Sequence, residues 1–208
     1  MLVNAAARPV AWPGPGSGPG FGPGFGLIEL MIAVAIFAIL VLLAAPIYAQ
    51  WVANTRVRNV AETIQNGLRL ARTEAVQGGQ PARFELTAGA GWTVCVPRGD
   101  TPGSCAAAQS TNQEFKPGDA AARVVVGGTT QSTMTLNTDV SGQPQIGGGV
   151  TFNALGRVQT GTNALAKIDV SSTGSSARRL VIVVAAGGSV RQCDPALKRS
   201  EHPQGCES

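Results

Sequence analysis

The feature that most constrains this chain is an apolar run from Leu27 to Ala45, 19 residues in which Glu29 is the only charge. An α-helix needs roughly 20 apolar residues to cross about 30 Å of hydrocarbon. A core helix this apolar on every face would need a large surrounding domain. A cleaved secretory signal would have a basic start, a shorter apolar region and a small-residue cleavage site. The run therefore predicts a membrane helix, and the apolar character continues to Ala49. A lone carboxylate in hydrocarbon costs several kcal/mol unless a cation meets it, which makes Glu29 a candidate functional residue.

Residues 1–24 read as a leader rather than as part of a fold. Gly14 to Gly24 is a Gly/Pro alternation that neither forms a helix nor buries a core, and Arg8 is the leader's only charge. Pro46 removes a helix hydrogen bond and crowds the preceding turn, so a kink or local melting is expected there. Beyond it, Val57, Val60, Ala61, Ile64, Leu68, Ala71 and Ala75 recur every three to four residues and define one helical face. The helix is expected from about Phe25 to Val76, with a stop at Gly78-Gly79.

From Gln80 the period changes to two. Phe84 and Leu86 alternate with Arg83, Glu85 and Thr87; Ala166, Ile168 and Val170 alternate with Lys167, Asp169 and Ser171. Trp92, Val94 and Val96, then Met134 and Leu136, then Val150 and Phe152, continue the pattern. These are expected to be half-buried antiparallel strands with their polar faces in water. Leu180 to Val184 is apolar throughout and fits a strand covered on both faces. Thr101 to Gly118 is polar, contains Pro and Gly, and is expected to be a surface loop. The predicted fold class is α+β: a long N-terminal α-helix packed on a C-terminal antiparallel β-rich head, in two small sheets.

The junction Gly24-Phe25 followed by Leu27-Ile28-Glu29-Leu30-Met31 resembles the class III signal of type IV pilins and type II secretion pseudopilins. The resemblance implies that a prepilin peptidase cuts after Gly24 and methylates the new N-terminus at Phe25. It also implies that Glu29, the fifth mature residue, and Pro46, the twenty-second, serve assembly into a filament with other minor subunits and the major subunit. Gly26 stands where the family usually has Thr. Pairing of Glu29 with the amino group of Phe25 would relieve the cost of burying it. Ala61-Glu62, Leu68, Ala71-Arg72 and Glu74-Ala75 resemble the subfamily that joins the pseudopilin GspH with the minor pilins FimT and FimU. The implied organisation is a leader at 1–24, the transmembrane half of the helix at 25–49, its amphipathic half at 50–78 and a periplasmic β-rich head at 79–208. The implied location is the bacterial inner membrane, crossed once, and then a pilus or pseudopilus.

Four cysteines, Cys95, Cys105, Cys193 and Cys206, all follow the apolar run. An even count in an exported domain favours disulfides. All three connectivities are open, and the short separations favour Cys95 with Cys105 and Cys193 with Cys206. Zinc is disfavoured because no C-x₂-C spacing occurs and His202 is the only histidine. That histidine is also too isolated for a catalytic triad, and the glycine clusters lie between strands with no phosphate-binding helix after them. Neither an enzyme, a cofactor nor a small-molecule substrate is expected.

The remaining signal is basic. Arg178, Arg179, Arg191, Lys198 and Arg199 fall within 22 residues, against Asp194, Glu201 and Glu207. Clustered cations raise the local potential for a polyanion. FimT-type minor pilins of DNA uptake carry a G-R-x-R motif before the C-terminal cysteine, and Gly188-Ser189-Val190-Arg191 resembles it with Ser189 in place of the first arginine. Capture of DNA is thus the second function to weigh, beside a structural role in a filament. A merely solvated basic surface is the third.

Overall fold

The structure, a computed structural model, describes residues 26–98, 104–118, 121, 123–130, 148–159, 164–174 and 177–206. The leader, Phe25 and the strand expected at Met134 and Leu136 lie outside them. The described residues give the α+β architecture with a long N-terminal helix and antiparallel-rich sheets.

One helix, α1, spans Leu27–Gly78. Its first bond is donated by the Leu30 N–H to the Gly26 carbonyl at 3.1 Å. Helical backbone continues through Pro46, so the local melting expected there is absent from this conformation. Proline removes only one donor, and the apolar helix-forming residues around it keep the remaining bonds. The helix ends where Gly79 turns into left-handed backbone at φ 63°, a conformation that glycine adopts without steric cost.

The chain divides into two compact units, Met1–Ala44 and Ala45–Ser208. In the first, every described residue is exposed, as expected for a helix whose apolar surface is made for something other than its own domain. In the second, α1 buries the face that the spacing predicts: Val57, Val60, Ala61, Ile64, Leu68, Ala71 and Ala75, joined by Ala53 and Gly67. Burying a leucine- or isoleucine-sized side chain contributes about 1.5–3 kcal/mol, so Ile64 and Leu68 anchor this packing.

Among its described residues the head has two sheets. The first comprises β1 (Ala82–Thr87), β2 (Gly91–Val96), β3 (Ser110–Phe115) and, from later in the chain, a strand Gly149–Phe152. With Val124–Thr130 as β4, that late strand is β5, and the order is β3-β2-β1-β5. The second sheet runs β4-β6-β7-β8-β9, with β6 at Leu165–Ser172, β7 at Leu180–Val184, β8 at Val190–Lys198 and β9 at Gly205–Cys206. Among the described residues the paired strands are antiparallel except β8 with β9. Phe84, Trp92, Val94, Val150 and Phe152 from the first sheet share one core with α1 and with Ile168, Val170, Ile182 and Val184 from the second. β7 is largely buried, in line with its unbroken apolar run.

Two expectations need correction. The segment expected as a loop at Thr101–Gly118 contains β3, an exposed edge strand paired with β2. Its residues Ser110 to Glu114 are all polar, so they offer no apolar alternation; backbone hydrogen bonds place the strand. The polar faces of β1 and β6 are not in water either. Arg83 and Glu85 are buried, and Lys167 and Asp169 are fully so. Residues two apart on a strand share a face. Each strand therefore supplies its own opposite charges: Arg83 Nε lies 3.2 Å from Glu85 Oε2, and Lys167 Nζ lies 3.0 Å from Asp169 Oδ2.

Candidate functional site

Two regions carry the expected site residues. The first is the N-terminal stretch of α1. Glu29 occupies its first turn, where the helix dipole favours negative charge, and it is exposed. No other charge follows until Arg56. Leu27, Ile28, Leu30, Met31 and Ile32 around it are exposed as well. Pro46 lies within the same helix, and Gly24 and Phe25, the cleavage and methylation residues, precede the described part.

The second region is the head, with its two disulfides and its C-terminal basic residues. Cys95 is bonded to Cys105 with a Cα–Cα distance of 5.7 Å, and Cys193 to Cys206 at 5.1 Å. Each bridge lies on the outer face of its sheet, beside a buried charge pair. On the first sheet, Glu85 Oε2 accepts from the Cys105 N–H at 2.6 Å and Glu85 Oε1 from the Ser104 hydroxyl at 3.0 Å. Arg83 also donates to the Thr151 hydroxyl at 3.2 Å. The carboxylate therefore holds the disulfide-tied segment over β1, which explains why that face is dry. On the second sheet, the register sets Asp169 opposite Val181 and Val181 opposite Cys193, so the pair at Lys167 and Asp169 shares a face with the bridge. These pairs were missed in the sequence as functional groups of the fold; the signal for them is opposite charge at positions i and i+2 in a strand.

The five basic residues do not form one patch. Arg178 Nε donates to Asp194 Oδ2 at 2.8 Å, and its Nη2 also contacts that buried carboxylate. Arg179 Nη1 lies 3.0 Å from Asp169 Oδ1 and is itself largely buried. A groove of about 400 Å³ beside Arg178 is lined by Arg58, Glu62 and Asp194, among others. Its charges are matched, since Arg58 pairs with Glu62 at 3.0 Å. Arg191 and Lys198 stand near opposite ends of β8, and a seven-residue extended spacing separates them by roughly 20 Å. Lys198 and Arg199 are exposed at the turn closed by the Cys193–Cys206 bridge, where the Glu201 and His202 N–H groups donate to the Lys198 carbonyl. His202 is exposed in this turn.

Comparison with known proteins adds the following. The family described as type II transport protein GspH matches residues 60–188, and the prokaryotic N-terminal methylation motif matches residues 24–45. Among solved structures, the type IV minor pilin FimU of Pseudomonas aeruginosa PAO1 is similar at a TM-score of 0.44 and 16% identity, over 69% of this chain and 92% of that one. The solution structure of E. coli GspH is similar at 0.41 and 21% identity, over 69% of this chain and 91% of that one. Among curated proteins nothing matches. Because the family match runs from residue 60 to residue 188, over half of the sequence, the chain belongs to the GspH family of minor pilins and pseudopilins.

Proposed function

We propose that this chain is a filament subunit, cut after Gly24 and N-methylated at Phe25 by a prepilin peptidase. It would then be built into a type II secretion pseudopilus or a type IV pilus. The observation that carries the reading is the coincidence of the methylation motif at residues 24–45 with the first part of α1, residues 27–45, which is exposed throughout and holds one carboxylate, Glu29. Isolated in hydrocarbon, that carboxylate would cost several kcal/mol, and cleavage creates its counter-ion, the amino group of Phe25. The pairing sets axial register against neighbouring minor subunits and the major subunit, and Pro46 adjusts the helix path where the apolar part ends.

The functional division follows at 1–24, 25–49, 50–78 and 79–208. The helix crosses the inner membrane once, and the head lies in the periplasm, an oxidising compartment suited to two disulfides. The role is structural rather than enzymatic. The test is Glu29→Ala in cells that assemble the filament. The expected product is cleaved and methylated but absent from sheared filaments, and normal incorporation would sink the pairing. Capture of DNA has weaker support, because Arg178 and Arg179 already face carboxylates.

A further inference from the structure

We propose that the head binds the phosphate of an anionic phospholipid headgroup in a groove beside the early part of its helix, formed with Arg123 and the end of β6. The groove measures about 580 Å³ and is lined by Tyr48, Arg56, Arg123, Ser172 and Thr173, with no Asp or Glu among its residues. Arg56 is half-buried and Arg123 exposed, and neither guanidinium has an ion pair among the described residues. A half-buried cation loses hydration without recovering it from a carboxylate, and a planar guanidinium matches phosphate oxygens in geometry. The hydroxyls of Ser172 and Thr173 add short polar groups at the same rim; Thr173 is fixed there by its N–H bond to the Arg123 carbonyl at 2.9 Å.

Depth favours a lipid over a free anion. Tyr48 and Trp51 are 66% and 62% exposed, with ring centroids 6.0 Å apart, the amphipathic aromatics that settle at headgroup level. From Ala49, the end of the apolar stretch, to Arg56 is seven residues, a rise of about 10 Å. Helical side chains lean toward the N-terminus, so the Arg56 guanidinium is carried back toward the headgroup layer, roughly 5–8 Å thick outside the hydrocarbon. The site rests on the membrane-anchoring reading given above. It would hold the head against its own leaflet before assembly.

The experiment uses the full chain in nanodiscs of phosphatidylcholine and phosphatidylglycerol in equal amounts, followed by native mass spectrometry of the released protein. The wild type is expected to retain phosphatidylglycerol over phosphatidylcholine by about 30-fold, the attraction of two arginines near a lipid surface. R56Q/R123Q should lose that preference, while R58Q, whose residue lies outside this groove, should keep it. Should the double variant unfold on thermal denaturation, R123Q alone, at an exposed position, is expected to reduce the preference several-fold. A wild type that enters nanodiscs without preferring phosphatidylglycerol overturns the headgroup site alone. A wild type that does not enter them overturns the anchoring reading and the site together. Inorganic phosphate that displaces the lipid and stays bound would reassign the groove to the free ion and overturn the lipid source.

Discussion

At the residue scale, Gly67 is a tight point between α1 and the first sheet. A Cβ there would come within 2.8 Å of both the Phe84 and Trp92 rings. Those rings are themselves packed, Trp92 stacking on Phe115 at 5.7 Å between centroids and lying 5.9 Å from Phe84. Gly67→Ala brings two opposing effects. Helix propensity favours alanine by about 1 kcal/mol, whereas forcing buried rings apart costs typically 1–3 kcal/mol. Neither ring is the free end of a flexible side chain, so overpacking wins. The expected result is a net loss of up to about 2 kcal/mol in urea unfolding of the chain in mild detergent. A stabilised variant would show that α1 can lift from the first sheet without cost. Gly67 could not be singled out in the sequence, where a glycine inside a helical pattern reads only as a weak spot. Its reason is a long-range approach of two rings. Arg83 and Glu85 were legible as a strand's polar positions, but their burial was not, because the group that covers them comes from the disulfide-tied segment around Ser104 and Cys105.

At the scale of elements, legibility followed periodicity. The buried face of α1 and the inward residues of β1, β2, β5, β6 and β7 could be placed because apolar spacing reports which side meets the core. β3 could not, since it is an edge strand with no apolar alternation, tied to β2 by its backbone and to α1 by the bond from Asn112 Nδ2 to Glu74 Oε2 at 2.9 Å. β9 is a similar case. Its two residues pair with β8, and the Asp194 N–H donates to the Gln204 carbonyl at 2.8 Å. Such a short strand cannot hold itself in place, so the Cys193–Cys206 bridge does. Closing a loop of this length contributes about 3 kcal/mol in the chain-entropy account. Replacing both cysteines by serine is expected to lower stability by about that amount. It should also raise amide exchange at Asp194 and Gly205 more than in β1 or β2. Uniform exchange changes across both sheets would instead mean that the bridge acts on the whole head.

At the scale of the molecule, the question is where the net charge of +4 resides. Five cations close together in sequence suggested a polyanion surface, but sequence proximity along antiparallel strands does not create one. Arg178 closes on Asp194 and Arg179 on Asp169, carboxylates already committed to the fold, and β8 separates Arg191 from Lys198 by much of its length. Affinity for duplex DNA scales with the number of phosphates met at once, and the salt slope is about −0.9 per phosphate. Even Arg191, Lys198 and Arg199 counted together therefore predict a log–log slope no steeper than about −3, and weak binding that fades at physiological salt. A titration of the chain with duplex DNA across salt concentrations measures this directly. A slope near −5, with loss on Arg191→Ala, would require the cations to act as one surface and would restore DNA capture as a function of the head. A shallow slope would agree with the proposal that this subunit acts through the exposed stretch of α1 rather than through its basic C-terminal part.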